Sequence, residues 1–221
     1  MPVIAVDGPS AAGKGTIAKM LADHFGFGFL DTGSLYRSVA WLMLEVGYDP
    51  ADEEAAEKTA FSLTKNNLYE LNANPNIRLE KVGKAASVVS AIPKVRKALF
   101  EVQRNFAENP YFADKTPAKG AVLDGRDIGN NICPDAEVKL FITAETKIRA
   151  ERRYKELLSK GFSVIYDDVL ADMEARDLRD KSRAVNPMRP AEDAYIIDTS
   201  ALDIDSVFAA ALAYAKERIE S

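Results

Sequence analysis

A short apolar strand, a loop of small residues around one lysine, and an amphipathic helix follow one another in VIAVDGPSAAGKGTIAKMLADHF, Val3 to Phe25. The run Val3 to Val6 is too short for a helix and is stopped by Asp7-Gly8-Pro9, which predicts a buried strand. Beyond the loop, Ile17, Met20, Leu21, His24 and Phe25 recur at helical spacing. One helix face should therefore pack on a sheet, with His24 half-buried, while Lys19 and Asp23 face water. Gly8, Gly13 and Lys14 lie between a strand end and a helix start, where backbone N–H groups point outward and the helix dipole favours an anion. Glycines let the chain curl round that anion without Cβ clashes, and the lysine supplies a mobile positive charge. The pattern Gly-x4-Gly-Lys-Ser/Thr is nearly met, except that Gly15 follows the lysine and the hydroxyl comes one place later, at Thr16. The loop is thus expected to hold a nucleoside triphosphate through Gly8, Pro9, Ser10, Ala11, Ala12, Gly13, Lys14, Gly15 and Thr16.

Further apolar runs at 120–125, 138–144 and 194–200 read as buried strands, and Phe29 to Arg37 reads as a short strand, a turn and a helix start. Helical patterns cover 34–46, 94–108, 145–159, 165–179 and 204–219. Strands alternating with helices indicate an α/β fold, a parallel sheet core flanked by helices, with ligands at the carboxyl ends of the strands. At 221 residues the chain can bury one good core, so 1–221 is read as a single domain. Two stretches fit that plan poorly. Residues 63–92 carry turn signals around Asn72-Ala73-Asn74-Pro75 and no long apolar strand, and read as a small insert. Residues 153–186 are highly charged, break at Gly161-Phe162, and read as a helical hairpin poor in apolar anchors, the profile of a mobile lid.

A net charge of −5 and a pI near 5.1 argue against general binding to nucleic acid or membrane surfaces. No apolar run approaches the roughly 20 residues needed to span a bilayer, and the N-terminus lacks a signal-peptide profile. A cytoplasmic protein is expected. With one cysteine, Cys133, and one histidine, His24, neither an internal disulfide nor a soft metal cluster can form. Cys133 beside Pro134 reads as a packing residue, and Trp41 as core. No long apolar surface stripe advertises a partner, so a monomer is expected.

The second half of the site is legible in two segments. Thr32, Gly33 and Ser34 bring another helix N-terminus toward the sheet edge, with Arg37 one turn in. LDGRDIG, Leu123 to Gly129, ends a buried strand with Asp124, Arg126 and Asp127 in close succession. A carboxylate at a strand end resembles the acidic partner of a phosphate loop, so Asp124, with the Thr16 hydroxyl, is the candidate holder of a magnesium ion or its water shell.

These segments, with AASVVSAIPKVR, KGFSV and RDLRDKSRAVNPMRPAEDAYIIDTS, occur in the order and approximate spacing of bacterial cytidylate kinases, and the Gly-Lys-Gly-Thr loop is the form used by nucleoside monophosphate kinases. The chain resembles that family over essentially its whole length. The resemblance implies a phosphate-loop NTPase-type fold with an insert that binds the nucleoside monophosphate and a short helical lid. It implies transfer of the γ-phosphoryl of Mg-ATP to CMP, and to dCMP, with Lys14 and the backbone of Ala11 to Thr16 on the donor. The acceptor's phosphate falls to Arg37, Arg126 and Arg183. Cytosine falls to Ser87, Arg96 and Asp127, and the ribose to Arg176 and Asp180, with Thr32 and Tyr36 completing the acceptor set. The catalytic charges implied are Lys14, Arg126 and Arg183, joined by Arg179 and Arg153 of the lid, where Arg149 and Arg152 are further candidates. Two departures stand out: NNLYELNANPNIR leaves little room for the strand hairpin common in the insert, and Asn130 stands where a threonine is frequent.

A GTPase switch would need an Asn-Lys-x-Asp guanine reader, which does not occur. A kinase for a small non-nucleotide alcohol would place a carboxylate beside a hydroxyl and need less basic charge. A non-catalytic nucleotide-binding module is the third alternative.

Overall fold

The computed structural model describes residues 1–63, 71 and 74–220. Five parallel strands, β1 (Val3–Asp7), β2 (Gly28–Asp31), β3 (Ala121–Asp124), β4 (Val138–Thr143) and β5 (Tyr195–Asp198), form one sheet in the order β2-β3-β1-β4-β5. The first helix, α1 (Lys14–Phe25), leaves directly from the loop after the central strand. In the ladder Asp124 is level with Asp31 on one side and Val6 on the other, so Asp31, Asp124 and Asp7 gather at the carboxyl edge. That edge is where a parallel sheet presents its ligand site.

Alternation along β1 sends Ile4 and Val6 to one face and Ala5 to the other. Ile4 and Val6 pack with Ile17 and Leu21 of α1 and with Val207 and Ala211 of α8 (Ile204–Ile219), which follows β5. On the opposite face Ala5 and Leu123 meet Phe106 near the end of a helix (Pro93–Glu108) and Ile128 and Ile132 of a π-type turn (Ile128–Ile132). Both faces are therefore covered, as a parallel sheet requires.

Beyond the sheet, α2 (Thr32–Glu45), α3 (Glu53–Ser62), α4 (Glu80–Val89) and the helix Pro93–Glu108, named α5, share a core of Leu35, Val39, Met43, Ala56, Ala60, Val82, Val89 and Leu99. Trp41 packs against it from a partly buried position. A hairpin of α6 (Thr146–Ser159) and α7 (Tyr166–Ser182) turns at Gly161 and closes over a small cluster of Ala150, Leu157, Val169 and Met173.

The expected strands and helices lie within a few residues of their observed limits, and several details differ. His24 is exposed rather than half-buried, resting edge-on against Phe25 and Phe208 at the rim of the core. β5 is an edge strand on which Tyr195 and Ile196 are exposed and only Ile197 is deeply buried, because among the described residues nothing pairs beyond it. Of the insert expected over 63–92, residues 64–70, 72 and 73 lie outside the described residues; the described part holds a 3-10 turn (Pro75–Arg78) and α4. α3 was not expected. Asp52 caps it, accepting from the N–H groups of Glu54 and Ala55 at 3.1 and 3.0 Å, but its buried face is only Ala56 and Ala60, too faint an apolar stripe to read.

Gly8 is the tightest point of the scaffold. Its φ is +143°, and a Cβ there would lie 2.0 Å from the Ile142 carbonyl oxygen of β4. Gly8→Ala should cost about 2–5 kcal/mol of folding stability, since backbone, not a side chain, must give way. Urea unfolding checks this, and an unchanged midpoint would contradict the close approach.

Candidate active site

The loop after β1 is held in shape by conformations that side chains rarely take: Gly8 and Gly13 have positive φ, as does Ala11 at +58°. Lys14 opens α1 and is buried, its Nζ 3.6 Å from Asp124 Oδ1. Burial, and next the Arg126 guanidinium, push Lys14 down to about 8, against the pull of Asp124 and Asp31. Asp124 moves the other way, raised by burial despite Lys14. Its Oδ1 is buried with no hydrogen-bond partner among the described residues. A Cβ at position 15 would come within 2.9 Å of Asp124 Oδ2, which gives the departure from the common loop pattern a physical reason: a side chain after the lysine would press on this carboxylate. The hydroxyl is displaced to Thr16, which is exposed on the first turn. Among the described residues no three His, Cys, Asp or Glu side chains gather into a metal cluster. One strand-end carboxylate with an unsatisfied oxygen beside the loop lysine, and the Thr16 hydroxyl on the first turn of α1, nevertheless fit a magnesium ion carried mainly by phosphates.

Beside the loop lies a cleft between α2, α4, α5, α7 and the turn after β3. Thr32, Tyr36, Arg37, Arg96, Arg126, Asp127, Arg176, Asp180 and Arg183, all expected from the sequence, line it together with Gly33, Ala86, Ser90 and Gly125. Ser87 is the exception among the expected acceptor residues. It is buried one step behind Ala86, and Arg179 Nη2 and Nε donate to its hydroxyl at 3.2 and 3.3 Å.

Five guanidinium groups and two carboxylates share these walls. Burial and the neighbouring Arg126 push Arg176 down to about 10. Arg37 and Arg183 are likewise lowered, by burial first and then by Arg78 and Arg96 respectively. Burial alone would raise Asp180, but Arg126, Arg176 and Arg183 hold its carboxyl below the usual value. Arg126 Nε donates to Asp180 at 3.2 Å, and Arg183 stands 3.9 Å from its other oxygen. Arg176 Nε and Arg183 Nε are buried without hydrogen-bond partners among the described residues. Positive charge thus exceeds its internal compensation, the signature of a site made for an anion. At the far wall Arg96 Nη2 donates to Asp127 Oδ2 at 2.5 Å, and the guanidinium lies 5.8 Å from the Tyr36 ring centroid.

Each element is placed by a polar anchor. The Thr32 hydroxyl donates to the Asp124 carbonyl at 2.8 Å, fixing the start of α2 on the end of β3. Arg37 Nη1 donates to the Ile77 carbonyl at 3.1 Å. Asp7, which the sequence suggested only as a strand stop, accepts from the N–H groups of both Ile128 and Gly129 at 2.8 Å and so ties the turn bearing Arg126 and Asp127 to the central strand. Burial pushes Asp7 up to about 7 even though those two N–H groups oppose the shift. Cys133 is buried and its thiol is pushed up to about 12 by that burial, which fits packing rather than nucleophilic work.

The hairpin arginines divide. Arg149 is spent on structure: it donates to the carbonyls of Ala144 and Ser10, to the Thr146 hydroxyl, and to Asp177 at 2.5 and 3.2 Å. Arg152 holds Thr199, whose hydroxyl in turn donates to the Ala12 carbonyl of the loop. Arg153 pairs with Glu80 of α4 and Glu156, and Arg179 with Ser87, so neither lies on the cleft wall in this arrangement. The partners of Arg149 and Arg152 come from distant segments, which spacing along one helix could not reveal. Arg149→Ala should leave Asp177 buried and unpaired and cost about 3–5 kcal/mol in chemical unfolding without nucleotide. A folded variant with unaltered stability would return Arg149 to the pool of phosphate donors.

A family model described as cytidylate kinase matches residues 4–217. A cytidylate kinase of Paramagnetospirillum magneticum is 52% identical over 210 residues, covering 95% of each chain. One from a Bradyrhizobium species is 51% identical, covering 95% of this chain and 93% of the relative. Among solved structures, an uncharacterized protein from Eubacterium ventriosum shares the fold at 16% identity, with a TM-score of 0.50 over 99% of this chain and all of that one. Phosphate loop, arginine-lined cleft and these relatives converge: the chain belongs to the cytidylate kinase family.

Proposed function

We propose that this protein transfers the γ-phosphoryl group of ATP to CMP and dCMP, giving ADP and CDP or dCDP, and that it acts as a cytoplasmic monomer. No helix of the described residues is long and apolar enough to cross a membrane. The observation that carries the acceptor assignment is the buried Arg96–Asp127 pair on the wall of a cleft in which five guanidinium groups face two carboxylates.

The acceptor's phosphate is itself the nucleophile, so no general base is needed, and catalysis rests on alignment and charge neutralisation. Lys14 and the loop backbone bind the donor's phosphates. Thr16 and Asp124 are the groups that would hold magnesium, which neutralises charge on the donor's phosphate oxygens when bound. Arg37, Arg126 and Arg183 hold the acceptor phosphate, while Arg176 and Asp180, one helical turn apart on α7, serve the ribose. The hairpin over 153–186 is the lid and the 63–92 segment the insert that binds the nucleoside monophosphate. On closure Arg153 and Arg179 exchange Glu80 and Ser87 for phosphate oxygens, and the closed cleft keeps water from the reaction.

Base identity follows from hydrogen-bond polarity. Cytosine offers an amino donor beside the N3 and O2 acceptors, whereas uracil offers an O4 acceptor beside an N3–H donor. A carboxylate accepts and a guanidinium donates, so Asp127 and Arg96 match cytosine and oppose uracil. In a dry pocket that mismatch is worth about 2–4 kcal/mol. Asp127→Ala should therefore cut kcat/KM for CMP much more than for UMP and shrink the preference. A preserved CMP-to-UMP ratio in the folded variant would mean that Asp127 only orients its neighbours.

A further inference from the structure

Asp127 has a second donor that no cytidylate kinase motif read from the sequence includes. Asn131 Nδ2 lies 3.1 Å from Asp127 Oδ2, the same oxygen that Arg96 holds at 2.5 Å. The turn after β3 places the contact: the Asn131 N–H donates to the Asp127 carbonyl at 2.9 Å, an i to i+4 bond of ordinary helical spacing, before the winding widens to i+5 at Cys133, whose N–H donates to the Ile128 carbonyl at 2.7 Å. This winding brings the side chain of residue 131 back over residue 127. Because a carboxylate only accepts, the amide must present its nitrogen to it, which fixes the orientation of Asn131. Asp127 is 5% exposed, so water competes little for the bond.

We propose that Asn131 is a positioning residue for base discrimination. Two donors on Oδ2, from α5 and from the turn, fix the rotation of the carboxylate about its Cβ–Cγ bond. Among the described residues both side-chain donors to Asp127 use that oxygen, which leaves Oδ1 to accept from the exocyclic amino group of the base. With Arg96 alone, the carboxylate can swing about a single contact. Asn131 also lines the neighbouring cavity of about 650 Å³ with Tyr36, Arg96 and Asn186, so its other face is not packed against the sheet core. Its replacement therefore disturbs the carboxylate more than the fold. The inference rests on Asp127 being the base reader.

The test is a double-mutant cycle on the full chain, with Asn131→Leu, Asp127→Ala and both together, reading kcat and KM separately for CMP, UMP and ATP. Asn131→Leu should raise KM for CMP roughly tenfold, leave KM for ATP unchanged, and lower the CMP-to-UMP ratio of kcat/KM. Asn131→Ser, polar but too short to reach Asp127, should do the same, and it decides the matter if the leucine variant folds poorly. Adding Asn131→Leu to Asp127→Ala should change nothing further. If Asp127→Ala collapses the ratio while both Asn131 variants preserve it, or if the two effects add, the positioning role is overturned and the base reader stands. If Asp127→Ala itself preserves the ratio, the base reader fails and the role of Asn131 falls with it.

Discussion

Five guanidinium groups facing one cleft with two carboxylates is a costly arrangement, and much of the surrounding structure is organised to hold it. Buried like charges repel strongly in a medium of low dielectric, and each buried cation loses hydration. Asp180 offsets part of this by standing among Arg126, Arg176 and Arg183, and Asp127 by engaging Arg96. Three more guanidinium groups than carboxylates remain on the walls, and burial first, then neighbouring guanidinium groups, lower Arg37, Arg176 and Arg183. A dianionic phosphate ester in the cleft, the acceptor proposed above, would supply the missing charge. The scaffold thus carries in advance the electrostatic organisation that a phosphoryl transfer needs.

The two halves of the site are joined through the sheet edge rather than through a flexible link. Register sets Asp124 level with Asp31 and next to the end of β1, so one short strand end touches the loop lysine, the start of α2 and the turn that carries Arg126 and Asp127. Asp7 completes the joint with its two backbone acceptances. Arg149 and Arg152 do the same for the hairpin, fastening it to the loop's Ser10 carbonyl and, through Thr199, to Ala12. A shift of the hairpin would therefore be felt at the phosphate loop.

The phosphate loop and the order of strands and helices were legible in the sequence because each rests on local chemistry, whereas the nine expected residues on the cleft wall came as a set with the resemblance to cytidylate kinases. A glycine at a close approach, an apolar run of fixed length and arginines clustered in one segment are all written within a few positions. What escaped depends on partners far along the chain. Arg149 looks like a lid donor until Asp177 and Ser10 are seen around it; His24 has helical spacing but lies at the rim; β5 is apolar yet sits at an edge. The Asp127–Asn131 contact needs one helical turn between residues 127 and 131, which no apolar periodicity announces. The structural role of Asp7 appears only when the turn 121 residues away folds onto it.

The most direct measurement is ADP release with ATP and a panel of acceptors: CMP, dCMP, UMP, AMP and shikimate. An arginine-rich cleft with an acceptor–donor pair matched to cytosine predicts that CMP gives the highest kcat/KM, that dCMP is used, that UMP and AMP are far poorer, and that shikimate gives no release above background. Equal use of UMP or AMP, or no CMP-dependent release at all, would contradict the account.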